Sequence, residues 1–497
     1  NTLDEASLVR IREDAEALAV LQETAEDISV LPTLGLVDIP ADIHSTPESR
    51  CSGTTTATCY NQPTSGIFYT TTAMGIRSLD VVQLPLVPFF CYALPRLGTR
   101  KHEFTEIVQR IDTYTGGISL ASNARTRFDD AGMCIPFVSI NGKCLNRNLD
   151  RMFELIQEIL FEVTFADSVR LKSLLLEYRA GLESTILHNG HRYAISLASR
   201  YFSMASYIGE IWSGVHQLKY IKGITETLGS EELEIIAGNM VDIRKRLIAR
   251  ENFKTALVGE AEPLEQGIRI LDYRSLTPGA DMDVEKLSRF EPPSLTVPDE
   301  MPREGWGTST SVSFVAKTLE TVRMDHEDAP RLSVISKILR SLFLHREIRE
   351  KGGAYGGFAL YNIENGLFSF ASYRDPHVLE TLDVYERASA FITSGKYRDE
   401  DIKEAILQVC SDIDKPDPPG PAAKKSFYRK VISMKDEDRR RFKKRLLVLQ
   451  KKDVVETAQR YFGAGNRPHG VAVISSDERL KQVNGKLAER PLSLHKI

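Results

Sequence analysis

Residues 260–300 break the chain in two: Pro263, Pro278, Pro292, Pro293 and Pro298 stand among polar residues, the composition of an exposed linker. On either side the same order of signals recurs, with β-branched or alternating strand segments followed by amphipathic helical ones. A chain of 497 residues is also longer than one hydrophobic core organises. Repeat and break together predict an α+β architecture of two similar units, each a mostly antiparallel sheet packed with helices. The expected division is a helical arm over 1–30, a first unit over 31–270, a linker over 271–300 and a second unit over 301–497.

Residues 1–30 hold no Gly or Pro and are rich in Glu, Ala, Leu and Arg, which suits one or two helices. Asn1 is not an initiator Met and the helical pattern starts at Leu3, so the sequence is expected to open inside a longer architecture. In the first unit, strands are predicted in Thr54–Tyr60, Gly66–Thr70 and Lys254–Gly259. Helices are predicted over Glu103–Tyr114, Leu149–Val163, Ala166–Leu187, Arg192–Met204 and Glu231–Leu247. The second unit repeats the pattern, with strands at Ser311–Ala316 and Gly470–Ser475 and a helix over Arg331–Glu350. Asp417–Pro421 (Asp-Pro-Pro-Gly-Pro) reads as a flexible insertion.

Charge and composition exclude several classes. Sixty-four Lys and Arg against 68 Asp and Glu give a net charge of −4, no electrostatic ground for a nucleic-acid partner. The longest apolar run, Leu84–Leu94, contains Pro85 and Pro88 and falls short of the roughly 18–20 residues of a membrane helix, so a soluble protein is expected. The six cysteines include no Cys-x-x-Cys pair, and reduced thiols are the expectation.

Arg331–Tyr385 carries the most chemistry. Leu332, Ile335, Ile338, Leu339, Leu342 and Ile348 recur at helical spacing, and Gly352-Gly353 ends the helix with the residue that adopts a left-handed cap most cheaply. The chain then extends through Ala354–Leu360, turns at Asn365-Gly366 and returns over Leu367–Tyr373 as a hairpin. Arg349 therefore stands in the last helical turn and Tyr355 at the start of a strand, where the glycine bend can aim both into one space. A guanidinium and a phenol are suitable donors beside a developing oxyanion. On residue type alone, Arg349 as a cation at a helix C-terminus and Tyr355 as an ordinary strand aromatic remains an equal account.

The strings "HREIREKGGAYGGF" and "SYRDPHVLETLDVY" resemble the C-terminal half of the presequence proteases and falcilysin-like enzymes, zinc oligopeptidases of the pitrilysin/insulysin family. "LPTLGLVDIP", "TSGIFYTT", "LPLVPFFCYALPRLGT", "YTGGISLAS", "NGHRYAISLASRYFS" and "VAVISS" follow in matching order, so the resemblance spans the chain. It implies two pitrilysin-type units and a catalytic and substrate-binding role for Arg349 and Tyr355, with Gly353 and Ala354 between them also binding substrate. It implies further that these residues reach across an enclosed chamber to a peptide held at zinc by an N-terminal half. The expected partners are that half and short unfolded peptides, with no nucleic acid and no membrane insertion, in a mitochondrial or plastid matrix.

The family binds zinc through His-x-x-Glu-His, which this sequence lacks. By the resemblance, the matching positions read Phe89, Tyr92 and Ala93 in "PFFCYALPRLGT", none of them the required ligand type. No metal is therefore assigned to this chain, and zinc is expected from the N-terminal half. Other candidates are weaker. His188 and His191 are separated by Asn189-Gly190, read as a turn. Asp129-Asp130 are adjacent strand residues that point to opposite faces. Arg439–Lys444 sits among acids and reads as a solvated helix face. The rival readings are a non-catalytic scaffold or peptide-binding subunit of the same fold, and an unrelated hydrolase, for which no Gly-x-Ser-x-Gly or Cys/His signature is present.

Overall fold

The computed structural model describes residues 4–23, 33–49, 57–248, 252–273, 288–463, 467–487 and 490–497. Asn1–Pro40 and Ala41–Ile497 are two separate compact units. In the first, Glu5–Glu23 is helical; residues 24–30 of the expected arm lie outside the described residues. Among the described residues no helix is long and apolar enough to cross a membrane.

The second unit holds two sheets whose strands fall on either side of the proline-rich stretch, in an α+β fold. The first contains β1 (Thr58–Asn61), β2 (Ile67–Gly75), β3 (Ile118–Thr126), β4 (Cys134–Leu145) and β5 (Phe253–Gly259), in the order β1-β5-β2-β4-β3. Only the β1–β5 pairing is parallel. The second contains β6 (Arg303–Gly307), β7 (Phe314–Glu320), β8 (Gly356–Asn362), β9 (Leu367–Tyr373), β10 (His469–Ser475) and β11 (Ser493–Lys496). Its order, β11-β6-β10-β7-β9-β8, leaves β8 on an edge. The predicted hairpin joins β8 to β9, with Gly366 at φ +68 as such a turn requires.

Two helices cross from one half of the sequence to the sheet of the other. Ser168–Ser199 is one 32-residue helix with a kink at Asn189 (φ −126, ψ 25), where the sequence predicts a turn between separate helices. Its early residues Leu171, Leu174 and Leu175 lie in the first core, while Tyr193, Ala194, Leu197 and Ala198 lie against Trp306, Phe314, Ala472 and Ile474 in the second. Just past the kink, a Cβ on Gly190 would stand 2.3 Å from the Phe314 ring, so only glycine allows this approach.

In return, helix Pro419–Val431 packs Ala423, Phe427 and Val431 against Tyr60, Phe137 and Val258 of the first sheet. The run predicted to be a flexible insertion is in fact the start of this helix. Proline suits its first turn, and Gly420 lets it approach Tyr69, whose ring would lie 2.7 Å from an added Cβ.

Other expectations are corrected. The strand predicted at Ser311–Ala316 runs Phe314–Glu320, because Ser313 instead exchanges backbone hydrogen bonds of 2.7 and 2.8 Å with Asp375. Asp129 and Asp130 lie in the β3–β4 connection, where Asp129 pairs with Arg127 and Asp130 accepts from the Gly132 amide. In helix Asp436–Leu447, Lys443 is wholly buried, its Nζ 2.7 Å from both Asp414 oxygens and 2.8 Å from the Asp42 carbonyl. Arg439, Arg440 and Arg441 each pair with the acid three residues earlier, so the basic run is a set of internal ion pairs. Cys91, Cys134, Cys144 and Cys410 are free and buried, but Cys59 is disulfide-bonded, which corrects the expectation of reduced thiols throughout.

Candidate functional site

Helix Ala329–Ile338 starts beside a fully buried carboxylate, Asp328. Burial opposes its ionisation. A hydrogen bond from Tyr461, the charge and hydrogen bond of Arg460 and the charge of Arg331 outweigh that, holding its pKa below the ordinary range. The helix then continues as a π-helix over Leu339–Glu350, a form enriched at functional sites. The uniform apolar spacing predicts a helix here but carries no sign of this wider winding; the stretch contains neither Pro nor Gly.

Gly353 closes the π-helix at φ +72. Its amide donates to the Arg349 carbonyl at 3.0 Å, and the Ala354 amide donates to the Ile348 carbonyl at 3.1 Å. This nested pair is a glycine-type cap, each ring one residue wider than the α-helical form. It occupies the backbone donors of Gly353 and Ala354, and Ala354 is itself buried. Of the four predicted substrate-binding residues, only Arg349 and Tyr355 therefore present free side-chain donors.

The Tyr355 amide donates to the Tyr373 carbonyl at 3.0 Å, fixing the backbone at the mouth of the β8–β9 hairpin. Its ring meets Tyr373 edge to face, centroids 5.8 Å apart, and remains 66% exposed. Among the described residues its hydroxyl has no hydrogen-bond partner. The Arg349 guanidinium lies 5.8 Å from the Tyr355 ring centroid, a cation–π placement. Its Nη1 is 3.5 Å from His345 Nε2, and it has no carboxylate partner among the described residues. The nearby Glu347 is engaged by Lys351 and Arg387 at 2.7 and 2.8 Å. Their hydrogen bonds hold its pKa below the ordinary range. The bend thus brings the two predicted residues onto one solvent-facing surface with unneutralised positive charge.

Beneath this surface are residues that sequence reasoning did not assign to it. Tyr373 contacts His191 of the long kinked helix, ring centroids 5.0 Å apart, and Phe314 at 5.8 Å. His191 also lies 5.5 Å from Phe358, and its Nδ1 is buried without a partner. Burial, followed by the charge of Arg192, lowers its pKa. The available signal was the pairing of an aromatic strand residue with a glycine-histidine step, which becomes informative only once the helix is known to cross the sheet.

The positions matching the zinc ligands are quite different. Helix Val87–Ala93 buries Phe89, Phe90, Cys91 and Ala93 to 4% exposure or less. Tyr178 packs on Phe89 and Tyr92 with centroids 5.7 and 5.1 Å apart, and Arg96 covers the Tyr92 ring at 4.2 Å. Burial pushes the Cys91 thiol far up. These residues do not fit a metal. Among the described residues, no three His, Cys, Asp or Glu side chains group as a metal site.

Two family models match in chain order. The model for the region associated with M16 peptidases of subfamily C covers residues 1–224, and "PreP C-terminal domain" covers residues 304–475. The mitochondrial presequence protease of Danio rerio is 29% identical over 496 residues, covering 94% of this chain and 47% of that protein. Presequence protease 1 of Arabidopsis thaliana, chloroplastic/mitochondrial, is 28% identical over 489 residues, covering 96% and 44%. The chain thus spans about half the length of the curated relatives it matches.

Among solved structures, the peptidase M16 inactive domain from Pseudomonas fluorescens superposes with a TM-score of 0.60 at 13% identity, covering 86% of this chain and 97% of that one. The periplasmic protease PqqL from Escherichia coli superposes with a TM-score of 0.55 at 13% identity, covering 96% and 51%. These two likenesses concern the fold alone. With both models and the presequence-protease relatives aligned along its length, the chain belongs to the M16 peptidase family and corresponds to the C-terminal half of a presequence protease-like member.

Proposed function

We propose that this chain is the substrate-contacting, metal-free half of a zinc oligopeptidase that encloses and degrades short unstructured peptides. The observation that carries the reading is the exposed Tyr355 hydroxyl, free of internal partners, beside the unneutralised Arg349 guanidinium. In this reading an N-terminal half supplies the zinc and the water-activating base. Tyr355 donates a hydrogen bond to the scissile carbonyl oxygen as negative charge accumulates there. Arg349 orients the peptide backbone and adds a fixed positive charge. Both act without prior desolvation of an internal partner, as an organised oxyanion site should.

The edge position of β8 supports strand-like capture of an extended peptide, since its outer backbone groups have no strand neighbour. The names of the relatives favour cleaved targeting peptides as substrates and an organelle matrix as the compartment. A pure scaffold has no chemical need for the Arg349–Tyr355 pair.

The test is reconstitution. The chain is mixed with the N-terminal half of a family member, and hydrolysis of a fluorogenic peptide is followed with and without a zinc chelator. Chelator-sensitive cleavage confined to the mixture, and strongly reduced by Tyr355→Phe, is expected. Full cleavage by the lone chain, or an unaffected Tyr355→Phe mixture, would overturn the reading.

A further inference from the structure

A cavity of about 350 Å³ lies at the end of the second sheet where β6 and β10 begin and β7 finishes. Five basic side chains line it, Arg303, Lys317, Arg467, His469 and Arg490, with one carboxylate, Glu386. That carboxylate is already engaged by Lys317. Arg303 is half-buried and its Nε donates to the Arg490 carbonyl at 2.8 Å, which leaves the rest of its fork directed elsewhere. The Arg467 guanidinium is stationed over the Tyr461 ring at 5.0 Å, with Nη2 2.6 Å from the Arg460 carbonyl. Among the described residues the Arg490 guanidinium has no partner.

The cluster is not a by-product of overall charge, since the chain carries a net −4. Nor is it how this fold treats basic residues elsewhere: Arg439, Arg440 and Arg441 each have an acid. Gathering like charges in a partly desolvated pocket is unfavourable unless an anion completes it. The strain is visible on two groups. Burial and then the Arg490 charge lower the pKa of Arg303, and burial together with the Lys317 and Arg490 charges lowers that of His469.

We infer that this pocket binds a phosphate-class oxyanion. Arginine forks match tetrahedral oxyanions through paired hydrogen bonds. The volume is at the lower end for a ligand site, enough for phosphate or pyrophosphate but not for an enclosed nucleotide. The source is either the free anion or the phosphoryl tail of a nucleotide whose base stays outside. The inference stands independently of the peptidase reading, because neither Arg349 nor Tyr355 lines the cavity.

The experiment is calorimetric titration of the full chain with inorganic phosphate, pyrophosphate, AMP and ATP at one fixed ionic strength. Saturable one-to-one binding of phosphate or pyrophosphate is expected. Arg303→Gln and Arg490→Gln should each weaken it about tenfold or more, the scale of one lost charge-assisted bond. Arg441→Gln, which lies outside the pocket, should leave it unchanged. ATP binding at least tenfold tighter than pyrophosphate identifies a nucleotide source, and equal affinities identify the free anion. Arg490 is exposed, so its substitution decides the matter should Arg303→Gln fail to fold. Absence of saturable binding by all four probes, or binding untouched by Arg490→Gln, would overturn the inference.

Discussion

Helix Val87–Ala93 and the segment from Leu339 to Gly357 put similar raw material to opposite uses. The first offers two phenylalanines, a cysteine and an alanine and buries all of them. The second ends its helix early, on a left-handed glycine, and turns an arginine and a tyrosine outward without internal partners. Where the family fold could carry metal chemistry, this chain has only packing. Where it could touch a substrate, it forgoes packing. The pair shows how one fold separates stability from chemistry: side chains committed to the interior have no donor left to offer, and side chains that keep a free donor contribute little to the core.

Four measurements break or sharpen this contrast. The largest effect belongs to Phe89→Ala, which should lower the unfolding free energy in urea by about 3–5 kcal/mol. A loss below about 1 kcal/mol would mean that the emptied helix is not packed as a core. Tyr355→Phe should do the reverse. In the reconstituted enzyme kcat should fall about 10²–10³-fold, equivalent to about 2.7–4 kcal/mol. Stability should stay within about 0.5 kcal/mol, as for an exposed site. Equal effects on activity and stability would erase the distinction.

Gly353→Ala probes the hinge of the second segment. The nearest atom to its Cβ would be Pro376 Cγ at 3.9 Å, so space is not limiting and the cost is the φ of +72. A loss of about 1–2 kcal/mol in melting experiments is expected, with kcat reduced as Tyr355 shifts.

The smallest effect at neutral pH concerns Asp328, which anchors the helix leading to Arg349. Its pKa is lower in the folded state than in the unfolded one. The stability it contributes is therefore complete above about pH 3.9 and is lost as pH falls through the folded value. Acid unfolding curves should show that loss, and Asp328→Asn should flatten it. An unchanged acid limb would place the anchor elsewhere.

What the sequence disclosed, and what it withheld, follows from the range of the interactions. The β8–β9 hairpin was legible because Asn365-Gly366 and the flanking alternation act over a few residues; β9 runs over the predicted Leu367–Tyr373. The positions of Arg349 and Tyr355 across the glycine bend were legible for the same reason. The π-winding of Leu339–Glu350 left no local mark. The Asp-Pro-Pro-Gly-Pro run misled because its composition suits a loop, whereas its proline starts a helix and its glycine answers Tyr69, some 350 residues earlier. Lys443 likewise reads as surface until Asp414 and the Asp42 carbonyl are found around it. Tyr373 and His191 were missed as a pair because the contact depends on a helix reaching the opposite sheet.

The two crossing helices have a practical consequence. Severed between Tyr273 and Ser288, the polypeptide would yield two fragments, each missing a piece of its own lining. The N-terminal fragment would lack the cover that Phe427 and Val431 give to Phe137, and the C-terminal one the cover that Tyr193 and Leu197 give to Phe314 and Ile474. Each alone would be sticky, and produced together they would complement one another. Gly190 and Gly420 act as the matching notches in this joint. A side chain at either would pry apart a seam that the linear sequence does not reveal.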